Sequence, residues 1–261
     1  MRRDIARTIR RGTGVALAGT LAVAALVVPA APASADATIT ANEQTFYGYY
    51  RLDAIHSSGY TGEGVTIALV DGPINTQIPE LAGARIQSYS PCAVDSQDKS
   101  WDHGTVIAQV ISSPQFGVAP GANLRAYTLS FAGETTGSDC ALGQWGRGYS
   151  DLALLIEDAL NDGVDVITTS SSYPSDYEGM RWALARAIAS KVPVVACVGN
   201  DSTSNSTDWL PAWGGVVGVG AIETNGRPSD YQNWGRPLST AALARPLARS
   251  GVSQERGEWW G

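Results

Sequence analysis

The chain has 261 residues, 44% of them hydrophobic and 16% charged, with a formal net charge of −7. That acidic balance argues against nucleic acid or an anionic membrane surface as partner. Three cysteines without a Cys-x-x-Cys and only two histidines form no zinc constellation, so neither a metal nor a cofactor is expected.

Residues 1–35 read as an export signal. Arg2, Arg3, Arg7, Arg10 and Arg11 form a basic segment, Val15 to Val28 is apolar and alanine-rich, and Ala33-Ser34-Ala35 offers small residues for cleavage. The apolar run is short for a membrane span of roughly 20 residues. Its removal takes away five arginines and one aspartate, moving the net charge from −7 to −11. What remains can enclose one sizeable core, and a secreted, extracellular monomer is expected. Export also suits the cysteines. Cys92 and Cys140 lie in polar stretches that read as surface loops and are the expected disulfide pair. Cys197 sits inside an apolar strand and reads as a buried thiol.

A lead-in over residues 36–61 contains a short helix with Leu52, Ile55 and His56, the last a surface or helix-end residue. Gly62 and Gly64 punctuate the turn into Val65–Val70, a continuous apolar run that suits a strand buried on both faces and ends in Asp71. Residues 82–102 read as a polar loop, with Asp102 a loop or cap residue. His103 then opens a helix whose Val106, Ile107, Val110 and Ile111 follow helical spacing. A histidine held there can donate a ring hydrogen bond to a carboxylate at a neighbouring strand end. Such a carboxylate fixes the tautomer and stabilises the imidazolium.

Further on, a turn at Gly117–Pro120 leads into a strand through Leu124, Ala126 and Leu129. A helix over 150–161 follows, then a strand over 164–172 and a helix over 177–190 with Met180, Leu184, Ala187 and Ile188 as its packing stripe. Val194–Val198 is the next strand, ending at Gly199-Asn200, and residues 216–221 form another. Alternating strands and helices over 62–235 imply an α/β domain with a mostly parallel sheet. Right-handed crossovers place the strand ends at Asp71 and Asn200 on one edge, with His103 beside them.

Asp71 at a strand end, His103-Gly104-Thr105 starting 32 residues later, and the apolar strand into Gly199-Asn200 together resemble the subtilisin-like serine proteases, or subtilases. Subtilisin has the same order and the same aspartate-to-histidine interval. The resemblance implies a three-layer α/β domain over residues 62–240 that hydrolyses peptide bonds through an Asp/His/Ser triad. Asp71 would orient, His103 would act as general base and acid, and Asn200 would stabilise the oxyanion. Ser170, Ser171 and Ser172 would lie where the family pairs with an extended peptide or protein substrate by strand addition. Two departures stand out. Gly72-Pro73 follows the aspartate where the family has Thr or Ser and then Gly, and Ser170–Ser172 replaces a glycine-bearing segment.

The nucleophile is unknown. No Gly-Thr-Ser-x-Ala occurs in the chain. Family spacing of roughly 66 residues from the oxyanion asparagine points beyond Gly261. Ser239, Ser250 and Ser253 stand in no motif, and residues 241–261, with Arg245, Arg249 and Arg256, lack an apolar period and read as an atypical tail. The expectation is a domain whose C-terminal part, with the buried serine helix, is missing, and a chain inactive as written. The alternative is a secreted pseudoprotease that binds extended peptides without cleavage.

Overall fold

Apolar runs bounded by glycine and proline become the strands of one sheet. The computed structural model describes residues 37–90, 93–131, 133–136, 151–170, 178–204 and 209–259. The expected signal segment, the proposed Cys92–Cys140 disulfide, and Ser171 and Ser172 lie outside them. Seven strands form the main sheet: β1 (Thr66–Asp71), β2 (Ile86–Tyr89), β4 (Asn123–Thr128), β6 (Val166–Thr169), β7 (Val194–Cys197), β8 (Val216–Ile222) and β9 (Thr240–Leu243). Their order is β2-β4-β1-β6-β7-β8-β9, and every pairing is parallel. From β1 the chain goes to the edge strand β2, returns through β4 between the two, then crosses to β6 and builds outward on the other side. Asp71, the last residue of β1, therefore stands at the carboxyl end of the strand where the order reverses, the usual place for a site in an open α/β sheet.

Helices cover both faces, as a parallel sheet requires. On one face α4 (Asp151–Asn161) and α5 (Glu178–Ala189) bury Ala68, Val70, Ile167, Val194 and Ala196 in the larger core. On the other, α3 (Asp98–Ser112) packs over Leu69, Leu124 and Ala126. Complete burial of a side chain such as Leu69 or Leu124 is worth about 1.5–3 kcal/mol. Ahead of the sheet run α1 (Thr45–Tyr49) and α2 (Leu52–Ser57), and two antiparallel pairs stand apart: β3 (Val94–Asp95) with β5 (Thr135–Thr136), and β10 (Leu247–Arg249) with β11 (Arg256–Glu258).

Three expectations change. The stretch 82–102 is not a loop throughout, since β2, β3 and the first turn of α3 lie in it. His103 does not open its helix, because α3 begins five residues earlier at Asp98. Among those first residues Ser100 is buried and its hydroxyl donates to Glu134, so the helix start is held by polar partners and carries no apolar repeat. The boundary drawn at residue 240 falls on β9, and residues 247–258 form a hairpin anchored by distant side chains. Gln44 brackets Leu247, its Nε2 donating to the carbonyl at 2.5 Å and its Oε1 accepting from the amide at 3.2 Å. Gln109 does the same for Arg249 at 2.8 and 2.9 Å. The Arg249 guanidinium is buried against the equally buried Glu80 carboxylate, with donor distances of 2.8 and 3.0 Å.

Candidate active site

β1 carries Asp71 into the interior, where it is 1% exposed. The Gly72 amide donates to Oδ1 at 2.7 Å, and the same oxygen lies 2.5 Å from Nδ1 of His103. An ionised carboxylate can only accept, so Nδ1 carries the hydrogen and leaves Nε2 as the ring's remaining site. Oδ2 of Asp71 is buried with no hydrogen-bond partner among the described residues. Burial alone would lower the His103 pKa below 6.5. The negative charge of Asp71 and its hydrogen bond outweigh that effect and raise it.

Two glycines let α3 come this close to β1. A Cβ on Gly104 would stand 2.2 Å from the Gly72 carbonyl oxygen, and a Cβ on Gly72 would stand 2.0 Å from that of Ser100. The departure after Asp71 thus has a local cause, since the first turn of α3 occupies the space a hydroxyl-bearing side chain would need. The start of α3 is fixed from outside. Glu134 accepts from the Gln97 amide at 2.9 Å and from the Ser100 hydroxyl, while its second oxygen accepts from the Phe131 amide at 2.7 Å. Phe131 is thereby held edge-on to the His103 ring, with centroids 5.5 Å apart. Sequence reading missed both Glu134 and Phe131. Their only signal is proximity in the fold.

Asp102 turns away from this pair, accepting from the Ser250 hydroxyl at 2.6 Å and the Val252 amide at 3.1 Å. Among the described residues no serine hydroxyl bonds to His103. Ser250 is engaged with Asp102, Ser253 accepts from the Glu255 amide, and Ser239 accepts from that of Gly218. His56, expected at the surface or at a helix end, stands half-buried in the last turn of α2, with Nε2 3.1 Å from the Val118 carbonyl oxygen.

His103 opens onto a cavity of about 570 Å³ whose walls also include Phe131, Ser170, Cys197 and Gly199. Ser170, just past β6, is half-buried there. Cys197 is half-buried as well, not buried as expected, because its face of β7 looks into this space. Asn200 follows Gly199 in an exposed bend. Its loop is clamped by the fully buried Asn233, whose Oδ1 accepts from the Asp201 amide at 2.9 Å and the Thr203 amide at 3.2 Å. The Asn233 amide donates back to the Gly199 carbonyl at 3.0 Å. Asp71 and His103 are in direct contact, and Ser170 and the residue preceding Asn200 share the cavity wall with His103.

This arrangement has counterparts. The model of the subtilase family matches residues 62–253. Subtilisin E of Bacillus subtilis (strain 168) is 30% identical over 200 residues, covering 74% of this chain and 50% of that protein. The chain thus spans about half the length of the first curated relatives it matches. Among solved structures, the PatG macrocyclase in complex with peptide aligns with a TM-score of 0.65 at 18% identity, covering 80% of this chain and 74% of its own. A cold adapted subtilisin-like serine proteinase aligns with a TM-score of 0.58 at 20% identity, covering 77% and 71%. These two likenesses concern the fold.

Proposed function

The chain belongs to the subtilase family, and from that membership we propose that its site serves the serine-type hydrolysis of peptide bonds. Asp71 orients the ring of His103 and stabilises its charged form. His103 takes a proton at Nε2 and later returns it to the leaving amine. The Asn200 side-chain amide donates to the developing oxyanion, an interaction worth about 3–4 kcal/mol in this type of site. Ser170 lines the path of an extended peptide, held by backbone pairing as in strand addition. The contact that carries this reading is the 2.5 Å hydrogen bond between a buried carboxylate and a histidine that lines a cavity.

The 261 residues supply the acid–base pair and the oxyanion donor, but no hydroxyl is bonded to His103 among the described residues. That observation favours a second reading, in which the chain holds extended peptides without cutting them. The basic, apolar and small-residue pattern of residues 1–35 supports secretion as the setting. Labelling with a serine-reactive fluorophosphonate, together with titration of a labelled extended peptide, tests both statements. Expected is saturable peptide binding, intact peptide on recovery and no labelling. Labelling that disappears in His103→Ala would show that one of the chain's own serines is the nucleophile and would overturn the second statement. Peptide binding unchanged by substitution at Ser170 would remove the assigned groove.

A further inference from the structure

The helix that carries His103 is capped from a distance. Gln97, the residue before α3, makes no side-chain bond to the helix start and donates instead to the Gly133 carbonyl at 3.1 Å. The cap comes from Glu134, half-buried just before β5 and 37 positions from Gln97. Pairing of β5 with β3 puts Thr135 opposite Asp95, which sets Glu134 beside the turn into α3. One carboxylate oxygen accepts from the Gln97 amide and the Ser100 hydroxyl, and the other accepts from the Phe131 amide. A negative group there also suits the dipole of α3. Capping needs only the first oxygen, and the second ties in a different segment.

Both segments gripped by Glu134 run on to the acid–base pair. Ser100 is buried with its carbonyl against Gly72, whose amide donates to Oδ1 of Asp71 at 2.7 Å. Phe131 meets the His103 ring edge-on, at an interplanar angle of 70°. Among the described residues His103 makes one hydrogen bond, to Asp71, so packing must hold the plane of its ring. We propose that Glu134 is a positioning residue for His103, keeping the ring aligned on Asp71 by joining the first turn of α3 to the Phe131 segment. Spanning the two takes the length and both oxygens of a glutamate. Aspartate keeps the charge but is one methylene short, and glutamine keeps the length but accepts at one end only. The use of this alignment in proton transfer rests on the proposed reaction, whereas the alignment itself does not.

NMR of the full chain with isotope-labelled histidine tests this, because long-range proton–nitrogen spectra read the tautomer and titration of each of its two rings. Burial lowers the His103 pKa and Asp71 raises it by more, so a slackened contact shows as a fall. In Glu134→Ala and in Glu134→Asp the His103 midpoint should drop by about half a pH unit or more. The single Nδ1–H tautomer should be lost with it, and His56 should not move. Ser100→Ala, which leaves the Glu134 charge in place, should shift His103 the same way by less. Asp71, Lys99 and Asp102 beside the ring and Arg245 across the cavity stay in place in every variant. Arg186→Ala, which opens the ion pair between α5 and Glu157, should lower the urea midpoint without moving either ring. An aspartate variant that titrates like the native chain, beside an alanine variant that does not, would reduce Glu134 to a distant charge and overturn the inference. An unmoved His103 in all three variants would leave only a helix cap and overturn it as well. If the alanine variant does not fold, the aspartate and Ser100 variants decide on the same criteria. A chain that neither binds nor cuts peptide would sink the proposed function with these ring signals intact, so the two readings fail separately.

Discussion

At the scale of single residues, the pair Asp71–His103 is defined by one hydrogen bond and one charge. Replacing Asp71 with Asn keeps the shape and removes the charge, leaving burial as the main influence on the ring. The His103 pKa should then fall from above 6.5 to below it, read from the ring proton in an NMR titration. His56→Ala assigns the resonance, since the chain has only two histidines. The sign for stability follows from the raised value. The contribution of the pair is fully present below about pH 6.5, the unfolded value, and is lost as pH rises through the folded pKa. A denaturation midpoint that gained nothing from the pair at acid pH would contradict it. The contact of Asp71 with His103 was legible because a strand end and a histidine motif stood at a telling distance. The orphaned Oδ2 of Asp71 was not, because it depends on what the fold packs around the end of β1.

At the scale of elements, α3 and the β10–β11 hairpin show where sequence reading stopped. Apolar spacing marked α3 only from Val106, since its first turns face Glu134 and the hairpin and carry no apolar repeat. β10 and β11 have three residues each, too short for a period. Their anchors lie 203, 140 and 169 positions away at Gln44, Gln109 and Glu80, so no local window contains both partners. Two predictions belong here. Arg249→Ala leaves the Glu80 carboxylate buried without its partner and should cost about 3–5 kcal/mol in urea unfolding, whereas replacing both residues with apolar side chains of similar volume should recover most of it. Burial pushes the Glu80 pKa up, but Arg249 and the Ile39 amide pull it down further, so the net shift is downward from 4.5. This contribution is therefore present above that unfolded value and lost as pH falls through the folded one. Gly104→Ala drives a methyl into the Gly72 carbonyl, and should cost about 1–3 kcal/mol while lowering the His103 pKa, because α3 must move off β1. A stable Gly104→Ala protein with an unchanged ring titration would show that the close approach is not what sets the pair.

At the scale of the whole molecule, the alternation of strands and helices announced a parallel α/β sheet, and the fold has one. How evenly its faces are covered was not readable, because an apolar strand looks the same whether a helix lies on it or not. β1 and β4 are sandwiched between α3 and the α4–α5 layer, and Leu69, Val70, Leu124 and Tyr127 are wholly buried there. β8 is different. Val217 and Val219 alternate with buried neighbours and reach the surface, and β9 closes the sheet as an edge strand with half-buried alanines. Local opening free energy follows the apolar area that opening exposes, so it should fall steadily from β1 toward β9. Native-state hydrogen exchange read by mass spectrometry should find residues 66–71 and 123–128 the slowest, 194–197 intermediate, and 216–222 with 240–243 the fastest of the sheet. If β8 and β9 exchanged as slowly as β1 in the unliganded chain, their one-sided covering would already suffice, and the half-covered face would have no energetic consequence.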